Sequence, residues 1–312
     1  MIEVQNVSKF FGNYPAVEDV SFKVEKGEIL GLLGPNGAGK TTTMRIITGY
    51  TPPTSGTVKV DGHDILHDSM AARRSIGYLP ETVPLYTDMT VREYLLFQAT
   101  IRGVPNNKRA QRLEDVVETV RLNDYVDTHI GKLSKGFRQR VGIAQAIIHD
   151  PSVLVLDEPT IGIDPIQVVE TRSLIKSLGG ADRAVILSTH ILPEVSMVCG
   201  RVVIINEGRV IAEDTPANLA LRLQNSRQVS ADIRGPTKLV TAAIEKIPGV
   251  TSIHRESFEG HSQYIVECAV GNDCREELAK VVVGNGWGLL SMQAKGMTLE
   301  EVFLELTTQE EA

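Results

Sequence analysis

Residues 34–41 read GPNGAGKT, a complete G-x-x-x-x-G-K-[ST] spacing. An apolar run at 29–33 precedes it, and a helix is predicted over 41–48. A strand that breaks into a glycine turn and then a helix aims successive backbone N–H groups, plus the positive helix end, at one anion. Gly34, Asn36, Gly37, Ala38, Gly39 and Thr42 would form that cradle. Lys40 is the expected partner of the β- and γ-phosphates, and Thr41 offers a hydroxyl to Mg²⁺. Such a loop binds a nucleoside triphosphate.

A second group of chemical residues ends the apolar run 153–156, where Asp157 and Glu158 follow VLVL. A carboxylate at the tip of a buried strand can hold Mg²⁺ directly or through water, and the acid beside it can orient and deprotonate the attacking water. Phosphoryl transfer needs a placed nucleophile and neutralised charge more than covalent help. Alone, two such acids merely end a strand. Beside a full phosphate loop they read as catalytic.

The elements that must hold these groups follow from periodicity. Alternating apolar residues from Ile2 to Val24 predict antiparallel strands ahead of the buried strand 29–33. Further strands are expected at 57–60, closing on an Asp61-Gly62 turn, and at 76–79. Thr90 and Glu93 form a capping box that opens a helix to 102, and 108–122 repeats apolar residues at helical spacing. Strands resume at 153–156, 184–187 and 202–205, the last turning through 206–208 to 210–212. Strands interleaved with helices imply a mainly parallel sheet with ligands at its carboxyl ends.

The nucleotide motifs stop near residue 220. A domain is read over 1–220, with a helical subdomain at about 86–150, a linker at 221–228 and an accessory domain at 229–312. The accessory domain reads βαββαβ, predicting a ferredoxin-like α+β sandwich, with a tail helix at 298–306 capped by Thr298 and Glu301.

The bulk numbers agree with this division: 312 residues suit one large or two medium domains. A net charge of −7 with no dense Lys/Arg run gives no nucleic-acid footprint, so no nucleic-acid partner is expected. Cys199, Cys268 and Cys274 show no metal-ligand spacing and read as reduced thiols of a cytosolic protein. No secretory leader and no membrane-spanning run are expected, so any membrane role goes through a partner. His63 and His67 flank turn residues and read as a solvated loop.

Residues 133–140 read LSKGFRQR. With the phosphate loop and the Asp157-Glu158 pair, this resembles the ATP-binding-cassette (ABC) family of transporter ATPases across about residues 1–220. Ser134 and Gly136 match that family's LSGGQ signature, whereas Lys135 and Phe137 depart from it. A serine hydroxyl, a backbone N–H and a helix N-terminus can still hold a γ-phosphate. By the same resemblance Asp164, in TIGIDP, is the D-loop aspartate; with Pro165 it is also a good helix start. His190 matches the switch histidine that contacts the γ-phosphate, and Phe11 the aromatic that stacks on adenine, with Tyr14 as competitor. Glu81 stands where the family's Q-loop carries glutamine; its carboxylate still offers Mg²⁺ an oxygen.

The resemblance implies a P-loop NTPase fold of ABC type, with ATP and Mg²⁺ bound between two copies of the chain. Glu81, LSKGF and the terminal LEEVFLELT are similar to ATPase subunits of bacterial ABC-2-type exporters, among them those of gliding motility, copper maturation and drug export. The implied partner is a separate integral membrane permease, and the implied location is cytoplasmic, peripheral on the inner face of the cell membrane. The competing expectation is a soluble, non-transport ABC ATPase acting on nucleic acid or ribosomes. Such chains carry long coiled coils, zinc-binding cysteine pairs or tandem cassettes, none of which is visible here.

Overall fold

Alternation makes β1 (Ile2–Phe11) and β2 (Tyr14–Val24) an antiparallel pair, with Ile2, Val4, Val7, Val17, Val20, Phe22 and Val24 on the buried face. The computed structural model describes residues 1–180, 182–222, 227–258, 260–269 and 274–295. The chain divides into two compact units, Met1–Pro216 and Ala217–Ala312.

In the first unit β3 (Ile29–Leu33) leads into α1 (Lys40–Ile47), and β4 (Ser55–Val60) turns back to the short β5 (His63–Asp64). The Asp64 carboxylate accepts from the N–H groups of Leu66 and His67, so the two histidines flank a side-chain-closed turn. Then come α2 (Ser69–Arg74), β6 (Ile76–Leu79), α3 (Val91–Ile101), α4 (Asn106–Thr119) and α5 (Lys135–Ile147). The capping box of α3 is present, with Thr90 and Glu93 bonded reciprocally. After them follow β7 (Val153–Asp157), α6 (Pro165–Leu178), β8 (Ala184–Thr189), α7 (Leu192–Val198), and the hairpin of β9 (Arg201–Asn206) and β10 (Arg209–Asp214).

Two sheets result. One is antiparallel, in the order β2-β1-β4-β5; the other runs β10-β9-β3-β8-β7-β6 and is parallel except at β10. Every residue of β7 and β8 is buried, the pattern of central parallel strands covered on both faces. Each Val or Leu so placed contributes roughly 1.5–3 kcal/mol of burial. Register then fixes the site, because Leu33 pairs with Thr189 and Asp157 with Ser188. The carboxyl ends of β3, β8 and β7 therefore lie side by side, and β6 delivers Pro80 and Glu81 next to them.

α8 (Pro216–Arg222) spans the unit boundary. In the second unit β11 (Arg227–Arg234), α9 (Thr237–Ile244), β12 (Val250–Phe258), β13 (His261–Cys268), α10 (Arg275–Gly284) and β14 (Gly288–Lys295) follow in the βαββαβ order. Their sheet is antiparallel, in the order β12-β13-β11-β14, and packs Val229, Ala231, Ile233, Tyr264 and Val266 against Val240, Ile244, Leu278 and Val282. The expected tail helix with Thr298 and Glu301 lies outside the described residues.

One expectation fails here. Cys268 and Cys274 form a disulfide pair rather than two separate thiols, their Cα atoms 6.4 Å apart. The end of β13 and the start of α10 bring them together, within the reach of a bridge. Cys199 is free and buried, and burial pushes its thiol up to about 12.

Candidate functional site

The phosphate loop sits at the end of β3. Gly39 has φ +101 and forms the N-cap of α1; a Cβ there would lie 2.6 Å from the Ala16 carbonyl oxygen. Gly34 is equally confined, by the backbone of Ile205. Both positions need glycine for backbone reasons, one conformational and one steric. Lys40 is buried, and its Nζ donates to the carbonyls of Gly34 (2.7 Å) and Pro35 (3.1 Å). It also stands 3.6 Å from Glu158 Oε1.

Glu158 follows β7 with φ +48, a left-handed backbone uncommon for a residue with a side chain. Its N–H is held by Ser188, through Oγ at 3.0 Å and the carbonyl at 3.2 Å. This turn carries the Glu158 carboxylate away from the strand line toward Lys40 and His190. His190 Nδ1 lies 3.0 Å from both carboxylate oxygens. Strain of this kind persists where the surroundings over-determine it, typically at working sites.

Asp157 is buried at the strand tip. Oδ1 accepts from Ser188 Oγ (2.5 Å) and Thr41 Oγ1 (3.3 Å), whereas Oδ2 is buried with no hydrogen-bond partner. Burial pushes the Asp157 carboxyl above the usual carboxylate range; the bonds from Ser188 and Thr41 oppose this, and the charge of Glu81 adds to it. A carboxylate with one orphaned oxygen and the other bonded to a threonine hydroxyl fits a hard divalent cation.

A cavity of about 530 Å³ gathers most of the expected residues: Phe11, Asn36, Gly37, Gly39, Lys40, Thr41, Thr42, Glu81 and Glu158, with Tyr14, Ala16 and Ile161. That volume suits a nucleotide. Gly34 and Ala38 support the loop from beneath, both buried. Phe11 and Tyr14 are both exposed on its rim and both line it, so either ring can meet a base.

Ser134, Gly136 and Asp164 do not line this cavity. Ser134 caps α5, its Oγ accepting from Phe137 N (3.3 Å), and Asp164 caps α6 by accepting from Gln167 N (3.0 Å). Such caps stabilise a helix by about 1 kcal/mol each. Gly136 packs against Gln167, and the Lys135 amino group lies over Gly162. Phe137 packs against Tyr125, ring centroids 4.2 Å apart and planes tilted by 39°. Its departure from the signature thus serves packing.

Sequence reasoning missed Ser188, which holds both acids at once, and a buried carboxylate, Glu194, bonded to Thr189 next to His190. Ser188 opens the S-T-H run and Glu194 follows it by four residues, but only the folded arrangement shows what they touch. Among the described residues no group of three or more His, Cys, Asp or Glu could hold a metal, and no helix is long and apolar enough to cross a membrane.

The raised titration of Asp157 predicts a trade of stability against activity. A carboxyl that keeps its proton to higher pH in the folded state stabilises that state in acid and loses the contribution as pH rises through its native value. Asp157→Asn should therefore stabilise the nucleotide-free protein at pH 7.5 by on the order of 1 kcal/mol, read as a higher thermal midpoint, while hydrolysis is lost. Repeating the melts toward the ordinary carboxylate range should erase the gain.

A parallel sheet with a phosphate loop, a strand-tip aspartate and a glutamate–histidine pair at its carboxyl ends defines a P-loop nucleoside triphosphatase. Comparison with known proteins narrows the class. The ABC transporter family profile matches residues 17–161. The linearmycin resistance ATP-binding protein LnrL of Bacillus subtilis (strain 168) is 32% identical over 307 residues, 98% of either chain. The bacitracin transport ATP-binding protein BcrA of Bacillus licheniformis is 34% identical over 98% of this chain and 97% of its own. Among solved structures, an ATP-binding subunit of an ABC transporter is 31% identical with a TM-score of 0.66, covering 72% of this chain and 93% of that one. A dimeric ATP-binding cassette in a post-hydrolysis state, bound to ADP and Pi, is 25% identical with a TM-score of 0.62, covering 69% and 98%. The chain belongs to the ABC transporter ATP-binding family, and its activity is ATP hydrolysis.

Proposed function

We propose that this chain is the engine subunit of an ABC-2-type exporter, closing head to tail on a second copy around two ATP and driving a separate membrane permease. The observation that carries this reading is the divided site. Lys40, Thr41, Asp157, Glu158 and His190 are linked by short contacts, while Ser134, Gly136 and Asp164 stand on other elements and do not line the phosphate-loop cavity. Two copies in opposite orientation would complete each site, Ser134 and Gly136 of one meeting the γ-phosphate on the other.

In this account the loop N–H groups and Lys40 grip the phosphates, and the Phe11 or Tyr14 ring covers the base. Thr41, the free Asp157 oxygen and Glu81 would hold Mg²⁺, which supplies charge neutralisation when bound. Glu158 takes a proton from a water whose oxygen attacks the γ-phosphorus; the bond to the bridging oxygen breaks and ADP and phosphate result. His190 holds the Glu158 carboxylate in place. ATP bridges the halves and its cleavage removes the bridge, so only the closed state gains from the γ-phosphate.

Relatives named for bacitracin transport and linearmycin resistance support an export role. The domain limits 1–220 and 229–312, the ferredoxin-like reading of the second unit, and a place on the inner face of the membrane belong to the same proposal. Gentle detergent extraction of membranes is its test. The chain should come out bound to a polytopic membrane protein, and recovery with ribosomes or nucleic acid would refute it.

A further inference from the structure

Behind His190 lies a buried carboxylate that the mechanism above does not use. Glu194, on the first turn of α7, is 1% exposed. Its Oε1 accepts from Thr160 Oγ1 (2.6 Å) and from Arg172 Nη2 (3.3 Å); its Oε2 accepts from Thr189 Oγ1 (3.0 Å). Each donor belongs to a different part of the site. Thr160 begins the loop that leads from Glu158 to Asp164. Arg172 stands on α6, the helix that Asp164 caps. Thr189 is the residue before His190, and its hydroxyl also accepts from the N–H of Ile191 (3.0 Å), so it clamps the turn on which His190 sits.

A buried carboxylate is expensive unless fully bonded. This one is satisfied only while all three elements keep their places. Shifting either loop strands a buried donor or acceptor, a penalty that makes the arrangement cooperative. We infer that Glu194 is a positioning residue that ties the switch segment carrying His190 to the loop carrying Asp164, setting both for hydrolysis without touching nucleotide. The inference deepens the reading of His190 given above and rests on it.

The test is a set of conservative variants in the full chain. Thr160→Val and Thr189→Val each remove one hydroxyl at nearly constant shape, and Glu194→Gln keeps shape while losing charge. Small misplacements of reacting groups have large rate effects, so each should lower kcat by about three- to tenfold or more, with KM for ATP nearly unchanged in protein that melts cooperatively well above the assay temperature. The Thr189→Val loss should largely vanish in a Glu194→Gln background, because both act through one carboxylate. The inference is overturned if either threonine variant keeps kcat within threefold, if KM rises in step, or if the losses simply add. His190→Ala, run alongside, separates two failures. Unchanged turnover in that variant sinks the reading of His190 itself, whereas its loss beside active threonine variants sinks only the role of Glu194.

Discussion

Glu158→Gln should bind ATP as tightly as the parent, cleave it on the order of 10³-fold more slowly, and accumulate as a dimer when ATP is added. The amide fits the space of the carboxylate, so the hydrogen bond of the Glu158 N–H to Ser188 and the left-handed turn survive. What is lost is the base. His190 lies against both carboxylate oxygens and Lys40 near Oε1, an arrangement that holds an anion in one place rather than one that folds the chain. Single-turnover hydrolysis and light scattering read the two effects separately. Turnover within tenfold of the parent would remove Glu158 as the base, and the left-handed turn would need another explanation.

Lys40→Ala should weaken ATP binding by on the order of 100-fold, since a charge-assisted contact to phosphate contributes roughly 1.5–3 kcal/mol. The lysine is buried at the start of α1 and its amino group bonds to the loop carbonyls of Gly34 and Pro35. Those bonds hold the side chain within the cradle, so little ordering entropy remains to be lost on binding. Isothermal titration gives the dissociation constant. A value unchanged in the variant would mean that the phosphates sit elsewhere.

Much of the site was legible because it is local in the chain. The loop 34–41 and the pair at 157–158 each sit within a few residues of an apolar run, and sheet topology carries any such motif to the same edge. The helix caps at Thr90, Ser134 and Asp164 were readable for the same reason: a cap is a contact three residues long. What stayed hidden depends on register between distant strands. Ser188 holds Asp157 and Glu158 only because β8 lies beside β7, and Glu194 meets Thr160 across 34 residues. The pairing of Cys268 with Cys274 was likewise invisible, since a spacing of six carries no geometry until β13 and α10 are placed. Phe137 looked like a damaged signature; its partner Tyr125 shows a packing role that no motif could reveal.

Crosslinking across the shared site tests the central claim most directly. Chains bearing Ser134→Cys and chains bearing Asn36→Cys, mixed and treated with a short bifunctional thiol reagent, should join when ATP is present and hydrolysis is blocked by Glu158→Gln. They should stay apart without nucleotide. Equal crosslinking with and without ATP, or none under either condition, would contradict a site built from two copies.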